Sequence, residues 1–246
     1  MHCQFFSLTD TGRVRANNED SVLTSTELGL AILADGMGGY NAGEVASSMA
    51  TQCIFEHLAP ALDSPHPIPG RDLKRMLQLA VDRANLAIYE AALHHPEYKG
   101  MGTTVVVALL RQGRLVLGHV GDSRAYRWRD GMLTPLTRDH SLLQEQLDAG
   151  LISPENARSA PYRNLVTRAM GVESGVVVDT NEIAVQPGDA FLLCSDGLHD
   201  MLTDADIAHI WWQHPNTSDA AWALLNAAND AGGRDNISLV VMRCTA

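Results

Sequence analysis

The sequence predicts an α+β fold in which two antiparallel β-sheets pack face to face and pairs of helices cover their outer faces. Three observations predict it. Short strands come in blocks joined by tight turns, helices gather between those blocks instead of alternating with single strands, and the strands carry long apolar runs that need cover. With 246 residues, 46% of them hydrophobic, the chain can bury one sizeable core, and a single domain over 1–246 is expected.

The first block reads "QFFSLTD", "SVLTS" and "LGLAILA". A helix follows in "AGEVASSMATQCIFEHL", with Val45, Met49, Cys53, Ile54 and Leu58 near helical spacing. The stretch from Ser64 to Gly70, "SPHPIPG", holds three prolines and a glycine and reads as a loop between helices. The second helix, "RDLKRMLQLAVDRANLAIYEAALHH", aligns Leu73, Leu77, Ala80, Val81, Ala84, Ile88 and Leu93. A second strand block is "TTVVVALL", "RLVLGHVG" and "SRAYRWR". The segment at about 137–171 mixes short helices, polar residues and prolines, the pattern of a flap lying over the surface. Strands "TNEIAV" and "AFLLCS" flank the turn "QPGD". Helical "DADIAHIWWQH", with Trp211 and Trp212 as packing anchors, "SDAAWALLNAAND" and a last strand "ISLVVMR" complete the pattern.

A formal charge of −11, from 18 Lys plus Arg against 29 Asp plus Glu, argues against nucleic-acid binding. Cysteines 3, 53, 194 and 244 form no CxxC pair, which suits a reducing compartment. No apolar run approaches the ~20 residues of a membrane span, and no charged-then-apolar leader follows Met1. A cytoplasmic monomer without membrane contact is the expectation.

Acidity becomes informative where carboxylates converge. Asp20 precedes one strand and Asp35 follows the next, so a hairpin would set them side by side. Asp196 ends "AFLLCS" and Asp235 precedes "ISLVVMR"; antiparallel pairing of those strands would bring these two together. Asp122 occupies the "GDS" turn. Asp-Gly is an ordinary turn dipeptide, and any one of these sites has that explanation. A turn does not need an acid at the end of each successive buried strand, however, and five crowded carboxylates would raise each other's pKa. Divalent cations remove that penalty, and an all-oxygen ligand set favours Mg²⁺ or Mn²⁺ over Zn²⁺. Two such ions ~3.5–4 Å apart hold a bridging water and aim it at phosphorus. Arg15 is placed to capture a phosphate, with Arg13 and Arg124 as weaker candidates.

The motifs "TDTGRVRANNED", "LADGMGG", "GMGTT", "HVGDSRAYR", "LTRDHSLLQEQLDAG", "NLVTRAMG", "LLCSDGLHDML" and "GGRDNISLVV" occur in this order from about Ser7 to Arg243. Together they resemble the metal-dependent PP2C (PPM) serine/threonine phosphatases, particularly the compact bacterial branch. The resemblance implies an α-β-β-α sandwich with a binuclear Mn²⁺ or Mg²⁺ centre, two ions per chain, and a third, weaker site. It implies that Asp35 bridges both metals, the Gly36 carbonyl completes one coordination sphere, Asp196 and Asp235 hold the other metal, and Asp20 acts through water. Asp122, with Asp196, matches the third site, and Arg15 matches the phosphate-binding arginine. The reaction implied is direct in-line hydrolysis of phosphoserine or phosphothreonine by the bridging water, opposing a Hanks-type kinase and its targets.

Two departures stand out. Met37 occupies a position where many eukaryotic members have a histidine proposed as the general acid, and Ala160 stands where relatives often have histidine before proline. His140 and His119 read as structural residues and Cys194 as a buried small hydrophobe. The same metals would also serve a small-molecule phosphatase or phosphodiesterase. A non-enzymatic phosphoprotein-binding domain is disfavoured because all the metal aspartates are present.

Overall fold

The apolar run after Leu28 becomes strand β3 (Leu30–Met37), and its alternate side chains serve two different layers. Leu30, Ile32 and Ala34 pack against helices α1 (Ala42–Leu62) and α2 (Gly70–His94), whereas Ala31 and Leu33 pack in a layer between two sheets. Strands β5 (Val105–Arg111) and β6 (Arg114–Val120) divide their residues in the same way. Both faces are dry, which explains runs without polar alternation.

The computed structural model describes residues 2–39, 42–64, 66, 68–157, 160, 162 and 164–245. The first sheet adds β2 (Asp20–Ser25), β4 (Gly102–Thr103) and β9 (Asp179–Ala184), in the order β2-β3-β5-β6-β9 with β4 beside β3. The second contains β1 (His2–Asp10), β11 (Ile237–Thr245), β10 (Ala190–Cys194), β7 (Arg124–Arg129) and β8 (Met132–Pro135), in the order β1-β11-β10-β7-β8. All named strand pairs are antiparallel. Helices α6 (Asp204–Gln213) and α7 (Thr217–Asp230) cover the second sheet through Ile207, Trp211, Leu224 and Leu225. The predicted α+β sandwich is therefore present, with helices outside both sheets.

The segment 137–171 is tied to the rest of the chain near both of its ends. The His140 N–H donates to the Gly121 carbonyl (2.9 Å), the Thr167 N–H to that of His140 (2.8 Å) and the Met170 N–H to that of Thr103 (2.8 Å). Within it, α3 (Leu142–Asp148) is capped by Ser141, whose Oγ accepts from the Gln144 N–H, and a short α4 (Pro154–Ala157) follows. Residues 158, 159, 161 and 163 of this flap lie outside the described residues, as do Pro65 and Pro67 of the proline-rich loop.

Some expectations need correction. The inner stripe of α1 is Ala46, Ala50, Ile54 and Leu58 with Ser47 and Thr51, while Val45, Met49 and Cys53 are only half-buried. The cause is closeness: a Cβ on Gly36 of β3 would sit 2.1 Å from the Gly43 carbonyl oxygen of α1, so small residues face the sheet there. On α2, Leu93, one residue from the helix's last, is 65% exposed. Trp211 is buried as expected, but Trp212 is 72% exposed, lying beside Trp128 of β7. Strand β8 was not anticipated. Among the described residues no helix is long and apolar enough to cross a membrane.

Candidate metal centre

The β2–β3 hairpin places Asp20 directly opposite Asp35. Asp35 is then held by its main chain: its N–H donates to Thr104 Oγ1 (3.1 Å), and its carbonyl accepts from Thr103 Oγ1 (2.9 Å) and the Thr104 N–H (2.9 Å). Asp20 Oδ2 accepts from Ser195 Oγ (2.8 Å), a bond that joins the two sheets. Ser195 follows β10, and the next residue, Asp196, opens a short helix, α5 (Asp196–His199), at the same edge. Asp122 sits in the turn from β6 to β7, where the chain passes from one sheet to the other.

Asn236 draws the remaining pieces together. Its Nδ2 donates to the carbonyls of Thr11 (3.0 Å) and Asn17 (2.8 Å), and its Oδ1 accepts from the Glu19 N–H (2.8 Å). The loop carrying Arg15 is thereby fixed against Asp235, and Arg15 Nη2 donates to Asp235 Oδ2 at 2.6 Å. Arg15 stays about half exposed at the rim.

Asp35, Gly36, Asp122, Asp196, Asp235 and Arg15 all line one cleft of about 260 Å³. Asp20 stands behind this group on Ser195. The predicted site residues are thus brought together. Of the weaker arginine candidates, Arg124 is committed to Asp139 by a two-pronged contact (Nε–Oδ1 2.9 Å, Nη2–Oδ2 2.6 Å), and Arg13 is an exposed residue whose N–H donates to the Gly233 carbonyl. Arg124 is therefore not free to take Arg15's place, and Arg13 is not among the residues lining the cleft.

Sequence reasoning missed Asn236, Ser195 and Thr104. Ser195 and Asn236 each lay beside an aspartate in a quoted motif, and a hydroxyl or amide adjoining that acid was the available signal; Thr104 lay in "GMGTT", which holds no acid.

Electrostatics sets the chemistry. Burial, then the Asp20 and Asp196 charges, push the Asp35 carboxyl well above its usual range. Burial, then Asp122 and Asp235, do the same to Asp196. Asp20 is raised to about 7 by burial despite hydrogen bonds from Ser238 and Ser195, and Asp122 to about 6 by burial and Asp139. Such a group resists ionisation unless a cation shares the site. Donors that are all oxygen fit a hard divalent ion, so the residues present suit Mn²⁺ or Mg²⁺.

A second group of possible ligands, His119, His140 and Asp179, lies apart from the cleft. Its hydrogen bonds commit it elsewhere. The Gly121 N–H donates to His140 Nδ1 (3.0 Å), and His140 Nε2 lies 2.9 Å from Arg168 Nη1 and 3.3 Å from Asp179. His119 Nε2 binds the Arg138 carbonyl (2.9 Å), and Arg168 binds Asp179 (2.9 Å). The cluster ties the segment 137–171 to His119 of β6 and Asp179 of β9.

The family model for protein phosphatase 2C matches residues 12–231. This chain belongs to the PP2C family. It is 37% identical over 245 residues to the serine/threonine phosphatase stp of Listeria innocua, covering 98% of this chain and 95% of that protein. It is 42% identical to the serine/threonine protein phosphatase PstP of Mycobacterium tuberculosis over 97% of this chain, spanning 44% of that longer protein. The crystal structure of the Mycobacterium tuberculosis phosphatase PstP/Ppp superposes with a TM-score of 0.91 at 40% identity, covering 100% of both chains. A PstP catalytic domain in complex with two manganese ions gives 0.87 at 39% identity over 99% of each chain. The PP2C chain is accordingly a metal-dependent serine/threonine phosphatase, whose substrates are phosphoproteins.

Proposed function

We propose that this phosphatase hydrolyses phosphoserine and phosphothreonine by direct attack of water on phosphorus, with no covalent enzyme intermediate. The observation that carries the reading is the convergence of Asp35, Asp122, Asp196 and Asp235 on one cleft, with Asp20 in register behind them and Arg15 at the rim. Asp35 and the Gly36 carbonyl would hold one of two divalent ions, Mn²⁺ or Mg²⁺, with Asp35 shared by both and Asp196 and Asp235 completing the second. Asp20 would contribute through water, and Asp122 with Asp196 would hold a weaker third ion. When bound, the ions supply charge neutralisation and lower the pKa of water.

The chain's own residues do the rest. Arg15 exchanges its contact with Asp235 for the substrate phosphoryl oxygens, orienting phosphorus toward the cleft floor. Cys194, close to Asp196 in sequence, is fully buried, and burial pushes its thiol far above the ordinary range, so it offers no thiolate nucleophile. Met37 lines the cleft and has no proton to give, so the leaving alkoxide takes its proton from water. The flap at 137–171 borders a neighbouring groove of about 460 Å³ that shares Asp122 and Asp196 with the cleft, and residues flanking the phosphorylated side chain lie there. The natural counterpart is a Hanks-type kinase and its targets, met by a cytoplasmic monomer.

The test is manganese-dependent hydrolysis of a phosphothreonine peptide, with nucleotides as competing substrates. Wild-type enzyme should prefer the peptide, and Asp35→Asn and Asp196→Asn should abolish turnover while keeping the circular dichroism of the parent. Preference for nucleotides, or full activity in either variant, overturns the reading.

A further inference from the structure

Cys3 and Cys244 stand at opposite ends of the sequence and directly opposite each other in the β1–β11 ladder. The main chain of Cys244 turns away from β1: its N–H donates to the Asp189 carbonyl and its own carbonyl accepts from the Gly188 N–H, both at 2.8 Å. In an antiparallel ladder a residue's N–H and C=O leave on the same side. Cys3 and Cys244 therefore form a non-hydrogen-bonded pair, the type with the closer Cα atoms, ~4.5 Å apart. That spacing falls inside the ~4.4–6.8 Å that a disulfide spans.

Access differs between the two sulfurs. Cys244 is fully buried in the layer between the sheets. Cys3 is partly exposed and lines a groove of about 570 Å³ at the end of the sandwich, walled also by Glu27, Leu28, Gln112 and Gly113. One thiol faces a path from solvent, and its neighbour waits behind it. The other two cysteines have no such arrangement: Cys194 is opposite Leu239 and Arg124, and Cys53 lies on α1.

We propose that Cys3 and Cys244 are a reversible dithiol–disulfide site, oxidised by a peroxide, which covalently joins β1 to β11. Cys3 Sγ attacks a peroxide oxygen: an S–O bond forms, the O–O bond breaks, and a sulfenic acid and one water result. Cys244 Sγ then attacks Cys3 Sγ: the S–S bond forms and the S–O bond breaks. The departing hydroxide takes the Cys244 proton as a second water, and two electrons have passed from the sulfurs to the peroxide. Burial keeps both thiols protonated at neutral pH, so the reduced pair reacts slowly. β1 is an edge strand with β11 as its one sheet neighbour, so the bond holds the strand most able to peel away. The cysteines lie at the end of the ladder remote from Asp10 and Ile237, the end that borders the metal cleft. Oxidation therefore changes resistance to unfolding and leaves turnover alone.

The experiment is peroxide treatment of the whole protein, alkylation of remaining thiols, and peptide mass spectrometry. Free thiols should fall from four to two, with a Cys3–Cys244 cross-linked peptide that dithiothreitol removes. The oxidised wild type should melt several degrees above the reduced form, Cys3→Ser should lose both the cross-link and the shift, and phosphatase activity should be equal in all three. Cys3→Ser alters a partly exposed position, so the comparison survives if Cys244→Ser does not fold. Persistence of four thiols, a bridge through Cys53 or Cys194, or the same shift in Cys3→Ser overturns the proposal.

Discussion

Ser195→Ala tests the bond that joins the two halves of the site. Ser195 is fully buried, and its Oγ donates to Asp20 Oδ2 (2.8 Å) while accepting from the Ser238 N–H (3.0 Å). Alanine removes a hydrogen bond to a carboxylate, worth ~1.5–3 kcal/mol, and leaves a buried N–H unpaired at a cost of ~1–3 kcal/mol. The two losses share one hydroxyl and are not additive, so a net ~2–4 kcal/mol is expected. For a chain of this size that corresponds to a fall in melting temperature of roughly 5–15 °C. Asp20 would also lose its anchor opposite Asp35, and losing such a support typically weakens metal binding ~10–100-fold. Calorimetry in chelator gives the first number, and a manganese titration of p-nitrophenyl phosphate turnover gives the second. A variant that melts within about a degree of the parent and needs no more manganese for half-maximal rate would refute the reasoning.

Gly36→Ala should be worse for activity than its size suggests. Its Cβ would lie 2.1 Å from the Gly43 carbonyl oxygen and 2.6 Å from that of Glu19, both main-chain atoms, so β3 must shift beside Asp35. A displacement of ~1 Å there should cost ~100-fold in kcat, and a rate within twofold of wild type would contradict it. Manganese at ~100 times its dissociation constant should stabilise stripped protein by about 2.7 kcal/mol, and Asp196→Asn should largely lose that gain in a thermal melt. His119 and His140, stacked at 4.6 Å, are both held below the usual histidine range, first by burial, then for His140 by His119 and Arg168, against the opposing pull of Asp179; Asp139 also raises His119. The unfolded chain then binds these protons more readily, so their stabilising contribution is complete above pH ~6.5 and is lost as pH falls below it. Urea midpoints between pH 7.5 and 5.5 should fall more steeply for wild type than for His140→Gln; parallel curves would count against the assignment.

The acids at strand ends were legible because a hairpin's geometry is local: once "SVLTS" and "LGLAILA" pair, Asp20 must face Asp35. The contact of Arg15 with Asp235 was not geometrically legible, since it depends on β1 lying beside β11 and on Asn236 bridging loops remote in sequence. The same pairing hid the neighbouring cysteines, whose scattered positions argued against any bridge. On α1 the stripe was drawn through the largest apolar residues, whereas close approach to β3 selects Ala46 and Ala50. Trp212 shows the opposite error, a large aromatic assigned inward that the helix presents to solvent.

Because β1 has β11 as its one sheet partner, a strand made before the others must wait for the one made after all of them. Until β11 emerges, Asp20 and Asp35 can close their hairpin, but Arg15 has no Asp235 to meet and Ser195 has no Ser238 to brace it. A growing chain thus carries an unfinished catalyst, and phosphoproteins nearby are safe from it until β11 has been made.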